Sequence, residues 1–139
     1  MTAEEYLEQY RDALLVAQRL KREYEKEEKL LDSIASPLGS DGTPHGTGIS
    51  RATESKAIKL AEKLSVYKEA ELEALRIKRQ VLRTINRVPG AKGAVLYEKY
   101  INFLTMQEIA DKIGYTERHC YNLKDAGLEI VEKMIERRK

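Results

Sequence analysis

Apolar side chains in the first third of the chain return every three or four residues. Ala3, Leu7, Tyr10, Leu14, Ala17, Leu20, Tyr24 and Leu31 form one stripe, close to a heptad seam, with charged residues between them. Thr2 is placed to cap this helix, and Glu5 three residues on completes a capping box. About thirty residues at 1.5 Å each give a rod of roughly 45 Å. With a single apolar stripe, such a rod requires a packing partner. A second stripe supplies one. Ile58, Leu60, Ala61, Leu64, Tyr67, Ala74, Leu75, Val81, Leu82 and Ile85 predict a helix from about Ala52 to Arg87, capped by Ser50 or Thr53. Between the stripes, "SPLGSDGTPHGTGIS" is too rich in Gly and Pro for a helix or a central strand, so residues 33–51 read as a connector. The simplest arrangement is a long antiparallel helical hairpin over residues 1–88. Two helices bury only part of each stripe, so the hairpin is expected to self-associate or bind a partner.

"VPGAKG" ends the second helix, because Pro89 disfavours a helical Val88. Three shorter helices are expected after it, over about 91–102, 106–113 and 117–136, in a second domain of residues 89–139. The stretch "LTMQEIADKIGYTERHCYNLK" has a mechanical reason for each residue type. Thr105 caps a short helix and Glu108 completes its capping box. Ile109 and Ile113 lie one turn apart on an inner face, and Ala110 lets a neighbouring helix approach. Gly114 suits the left-handed residue that reverses the chain. Thr116 caps the next helix, with Glu117 complementing its dipole. Cys120 and Leu123 face inward, whereas Glu117, Arg118, His119, Tyr121, Asn122 and Asp125 face outward. This is the layout of a helix-turn-helix whose second helix lies in the major groove. An ordinary helical corner would use the same caps.

Charge sharpens that picture. The net charge of +2 conceals a stretch, residues 76–90, with five basic residues and no acid. Within it Arg76, Arg79, Arg83 and Arg87 step by three and four and are expected to share a helical face. They are candidates to follow a phosphate backbone, or to pair with the acidic run "EYEKEE". On the second short helix Arg118 can bind guanine O6 and N7 with two bonds, and Asn122, one turn later, can pair with adenine. His119 and Tyr121 suit phosphate or base-edge contacts or packing at the helix margin. Glu117 could accept from cytosine N4, and Thr116 and Lys124 complete the candidate DNA-binding set.

The stretch "LYEKYINFLTMQEIADKIGYTERHCYNLKDAGLEIVEKM" resembles region 4 of bacterial sigma factors. It is more similar still to a family of small phage and prophage regulators related to late-operon transcriptional activators. The resemblance rests on Tyr97, Tyr100, Leu104-Thr105, Glu108-Ile109-Ala110, Gly114 and Thr116, and the residue match covers about the last 45 positions. It implies an all-α protein that binds double-stranded DNA, with RNA polymerase as a candidate partner and the cytoplasm of a bacterial host as its address. Two features depart from the family pattern. The residues around the reading helix are nearly balanced in charge, with Arg118 and Lys124 against Glu117 and Asp125. Gly127 falls where helix interior is expected, so the helix is expected to kink or end there.

No motif points to catalysis, a cofactor or a metal. There is no P-loop, and His45 stands alone in the connector. His119 and Cys120 point about 100° apart on a helix. The single cysteine excludes an internal disulfide, and no stretch is apolar enough to span a bilayer. Two other functions remain compatible: a small terminase-like DNA-packaging subunit, and a protein-interaction module that uses the helical corner as a scaffold.

Overall fold

A computed structural model describes residues 1–35 and 51–138, with backbone alone for 33–35 and 51–53. The described residues form five helices and no strand: α1 (Ala3–Ala35), α2 (Arg51–Ile85), α3 (Gly90–Tyr100), α4 (Met106–Ile113) and α5 (Glu117–Arg137). The chain is all-α, as the apolar periodicity predicts. Most of the connector, with His45 and Ser50, lies outside the described residues. Thr53 falls within α2 rather than ahead of it.

These residues form two compact units, one of Met1–Ala13 with Glu73–Lys139 and one of Leu14–Leu72. The boundary expected near residue 88 lies inside the first. In that unit α1 begins as its sequence suggests. The Glu5 amide donates to Thr2 Oγ1 at 3.2 Å, and the Thr2 amide donates to the Glu5 carboxylate at 3.1 Å. A third partner comes from α5, where the Glu132 carboxylate accepts from the Ala3 amide at 2.7 Å. Leu7, Val81, Val95, Leu96, Ile109 and Val131 are fully buried. Each such side chain contributes about 1.5–3 kcal/mol.

Thr84, whose side chain is fully buried in this core, is satisfied twice. It donates to the Gln80 carbonyl at 3.1 Å, which leaves its oxygen to accept from the Tyr6 hydroxyl at 3.2 Å. Tyr6 Oη in turn accepts from Arg138 at 3.3 Å. One chain of hydrogen bonds therefore joins the start of α1, the end of α2 and the end of α5.

α2 stops at Ile85, two residues earlier than its periodicity suggests. The Arg87 and Val88 amides turn back to Thr84 and Ile85, three residues behind each. Val88 is thereby buried, and Pro89 takes an extended conformation ahead of α3. Gly93 is required where α3 leaves this turn, because a Cβ there would lie 2.3 Å from the Val88 carbonyl oxygen.

In the Leu14–Leu72 unit, Tyr24 stacks on Tyr67 with ring centroids 6.2 Å apart, and Lys63 bonds Glu27 at 3.0 Å. Partner numbers fall along α2 as they rise along α1. Ile58 and Ala61, expected on the inner stripe of α2, are exposed. At 100° per residue they lie about 180° and 120° around the helix from Tyr67, so they leave the paired face. Leu75, in the other unit, is also exposed.

Candidate nucleic-acid interface

α4, the turn and the first half of α5 are built by caps. Thr105 Oγ1 accepts from the Glu108 amide at 3.2 Å, and the Glu108 side chain reaches back to the Thr105 amide. α4 ends on Gly114, whose φ of 86° is left-handed. A residue with a Cβ would be strained there. The Gly114 and Tyr115 amides both donate to the Ala110 carbonyl, closing the turn. Two residues on, Thr116 is extended and its hydroxyl accepts from the His119 amide at 3.2 Å, opening α5.

The inner faces of α4 and α5 share one apolar cluster. Val95, Met106, Ile109, Ala110 and Cys120 are buried in it, with Leu104, Ile113 and Leu123 packed at its edge. Burial pushes the Cys120 thiol pKa up, with the nearby Glu117 charge adding to it, so the thiol stays protonated.

α3 holds this pair of helices from behind. Glu98 on α3 accepts from Asn102 at 2.8 Å and from Lys112 on α4 at 2.9 Å. The Asn102 bond is the largest influence and holds the Glu98 carboxyl below its usual range; burial opposes it, and Lys112 adds to the lowering. α5 continues as one helix through Gly127 rather than ending there. Leu96 of α3 lies so close that a Cβ on Gly127 would fall 2.9 Å from its Cδ1. The glycine permits a close helix approach rather than ending the helix.

The candidate residues on α5 lie in its first two turns. Glu117, Arg118, His119, Tyr121 and Asn122 are exposed together with the cap Thr116, and Lys124 is half-buried. Arg118 and Asn122 are one turn apart on the outward side. His119 meets the Tyr115 ring edge-on with centroids 4.9 Å apart, and the Lys124 ammonium lies 5.4 Å from the centre of the Tyr121 ring.

Arg76, Arg79 and Arg83 step by three and four within α2, but the four arginines differ in their surroundings. Arg76 is paired with Glu73, an acid one turn before the acid-free stretch. Arg87 lies beyond the helix, in the turn. Arg79 is exposed. Arg83 and Arg87 line an open cleft of about 380 Å³ together with Tyr6, Gln80 and Arg138. The sequence reading did not single out Tyr6, Gln80 or Arg138. The terminal "ERRK" is a visible signal of basic charge, but only tertiary packing places residues 6, 80 and 138 together. Arg138 and Arg118 stand at opposite ends of α5, about 30 Å apart along the axis.

Among the described residues no His, Cys, Asp and Glu group of three or more could hold a metal ion, and no helix is long and apolar enough to cross a membrane. No family model, curated protein or solved structure matches the chain.

Proposed function

We propose that this protein binds double-stranded DNA with sequence preference, using α4, the turn at Gly114 and α5 as a helix-turn-helix. One observation carries the reading. Two capped helices joined by a left-handed glycine share a sealed inner face, and Arg118 and Asn122 remain exposed one turn apart on the outer side. Such a helix enters the major groove with its N-terminal residues toward the bases. Arg118 then reads guanine and Asn122 reads adenine, while Thr116, Tyr121 and Lys124 contact the backbone. Glu117 and His119 border this surface. The resemblance to phage and prophage regulators gives the biological form: a transcriptional regulator in a bacterial cytoplasm, with RNA polymerase as a candidate partner, acting by binding rather than catalysis.

Residues 14–35 and 51–72 serve in this reading as a helical hairpin for self-association. Leu15, Val16, Leu30, Ile58, Val66 and Leu72 are all exposed there, and this supports an oligomer. The same feature keeps a second reading open, that of a ring-forming DNA-packaging subunit. Native mass separates them: eight or more copies favour packaging, whereas a monomer or dimer favours regulation.

Gel-shift titration against the DNA upstream of the protein's own gene, with rising salt, tests the DNA reading. The expected result is preferred retention of one sequence, weakening steadily with log salt. Binding with neither sequence preference nor salt dependence overturns it and leaves the corner as a protein-interaction scaffold.

A further inference from the structure

The cleft at the far end of α5 has a chemistry of its own. Among the described residues its lining, Tyr6, Gln80, Arg83, Arg87 and Arg138, contains three guanidinium groups and no carboxylate. None of the three arginines is in an ion pair among the described residues. By contrast, Arg76, about two turns before Arg83 on α2, is held by Glu73. Like charges gathered without a counter-charge repel one another, and a multivalent anion between them removes that repulsion.

Arg138 is also held in place. Its Nη1 donates to Tyr6 Oη at 3.3 Å, Tyr6 donates to Thr84 Oγ1 at 3.2 Å, and Thr84 donates to the Gln80 carbonyl at 3.1 Å. Thr84 is fully buried, so the relay is anchored in the core. The Tyr6 hydroxyl thereby spends its proton on Thr84 and acts as a positioning group, leaving the arginines and the Gln80 amide to donate into the cleft. One planar carboxylate is satisfied by a single guanidinium fork. Several forks from α2, the following turn and α5 suit a group whose oxygens point in several directions. The volume, about 380 Å³, falls in the range of about 300–1,000 Å³ usual for small-molecule sites.

We infer that Arg83, Arg87 and Arg138 form a phosphoanion-binding site, separate from the DNA-reading surface and steadied by the Tyr6–Thr84 relay. The separation follows from the roughly 30 Å of helix between Arg118 and Arg138, well beyond the major-groove width of about 12 Å. The inference does not depend on the helix-turn-helix reading. Its ligand is a phosphoryl group, from a free phosphorylated metabolite or from a nucleic-acid backbone.

Pyrophosphate is the probe, titrated into the full chain by calorimetry, against sodium chloride at equal ionic strength. Saturable one-to-one binding is expected, weakened at least about tenfold by Arg83→Gln or Arg138→Gln and unchanged by Arg118→Ala. Circular dichroism checks that each variant folds. The arginine side-chain N–H resonances of the unaltered protein give a second readout, with shifts confined to three arginines. No binding beyond the chloride control, or full binding by both glutamine variants, overturns the site. Duplex DNA then assigns the source. If Arg138→Gln weakens binding to every duplex and lowers the salt slope by about one, the phosphate belongs to a backbone. If duplex binding is untouched while pyrophosphate binding falls, the ligand is a free phosphoanion. Pyrophosphate binding without any duplex binding refutes the DNA reading alone.

Discussion

Gly93 and Gly127 both lie inside helices, yet they answer to different constraints. A Cβ on Gly93 would meet a backbone carbonyl at 2.3 Å, and a backbone carbonyl has no rotamer to escape into. Gly93→Ala is therefore expected to cost about 2–3 kcal/mol, read as a fall in the urea midpoint at unchanged slope. Gly127→Ala meets the end of the Leu96 side chain, and its gain of about 1 kcal/mol in helix propensity offsets part of the displacement. Its midpoint should fall by less than half as much; equal losses would contradict this account. Tyr100 is the other residue whose environment makes a definite demand. Burial, then Glu4, Glu8 and Asp125, push its phenol pKa above the ordinary 10.0, so the folded chain favours the neutral form. The resulting stability is fully present below about pH 10 and is lost as pH rises beyond it, because the unfolded chain ionises first. Among the described residues Tyr100 Oη has no hydrogen-bond partner. Tyr100→Phe should accordingly change stability by less than about 1 kcal/mol at pH 7 and flatten its decline above pH 10. A wild-type decline with the same slope as the variant's would count against it.

At the scale of elements, α4 and the start of α5 were legible because their ends are local chemistry. Thr105 with Glu108, Gly114 and Thr116 each act within four residues, and each was visible before any packing was known. Gly127 and the arginines of α2 were not legible in the same way. Gly127 is explained by Leu96, thirty-one positions away, and Arg83 and Arg87 open on a cleft completed by residues 6 and 138. Sequence spacing also carried Arg87 onto a helical face that the turn at Val88 and Pro89 interrupts. The inner faces of α4 and α5 are therefore secure ground for a prediction about the outer one. In the proposed DNA complex, Arg118→Ala should cost about 1–3 kcal/mol on the preferred site and relax the preference at one base pair. Arg79→Ala should leave that preference intact. Arg118 is exposed, so melting temperature should not move. Competition gel shifts over single-base variants of the site read the result directly, and undiminished specificity in Arg118→Ala would place the reading surface elsewhere.

For the whole molecule, the question is what the long helices do beyond the capped C-terminal elements. In the Leu14–Leu72 unit the Tyr24–Tyr67 stack and the Lys63–Glu27 pair use one side of each helix. The exposed ion pair itself contributes little, typically 0–1 kcal/mol, so apolar contact has to supply what stability the pairing has. Ile58 is nevertheless 60% exposed and Leu72 67% exposed, so this pairing leaves large apolar side chains uncovered. Covering several such side chains with a second copy would return to the unit the burial that two helices alone cannot provide, at about 25 cal/mol per Å² before the losses of association. If this is their purpose, Ile58→Gln with Leu72→Gln should shift sedimentation toward the monomer at micromolar concentrations without lowering the helical signal of dilute protein. Because neither residue lies in the unit that holds α4 and α5, the base preference of any DNA binding should be unchanged. Apparent affinity should nevertheless fall, since a dimer presents two reading helices to one duplex and a monomer presents one. A variant that sediments as the wild type would leave these side chains as isolated surface apolars. A variant that becomes monomeric with undiminished affinity would show that one copy reads DNA alone.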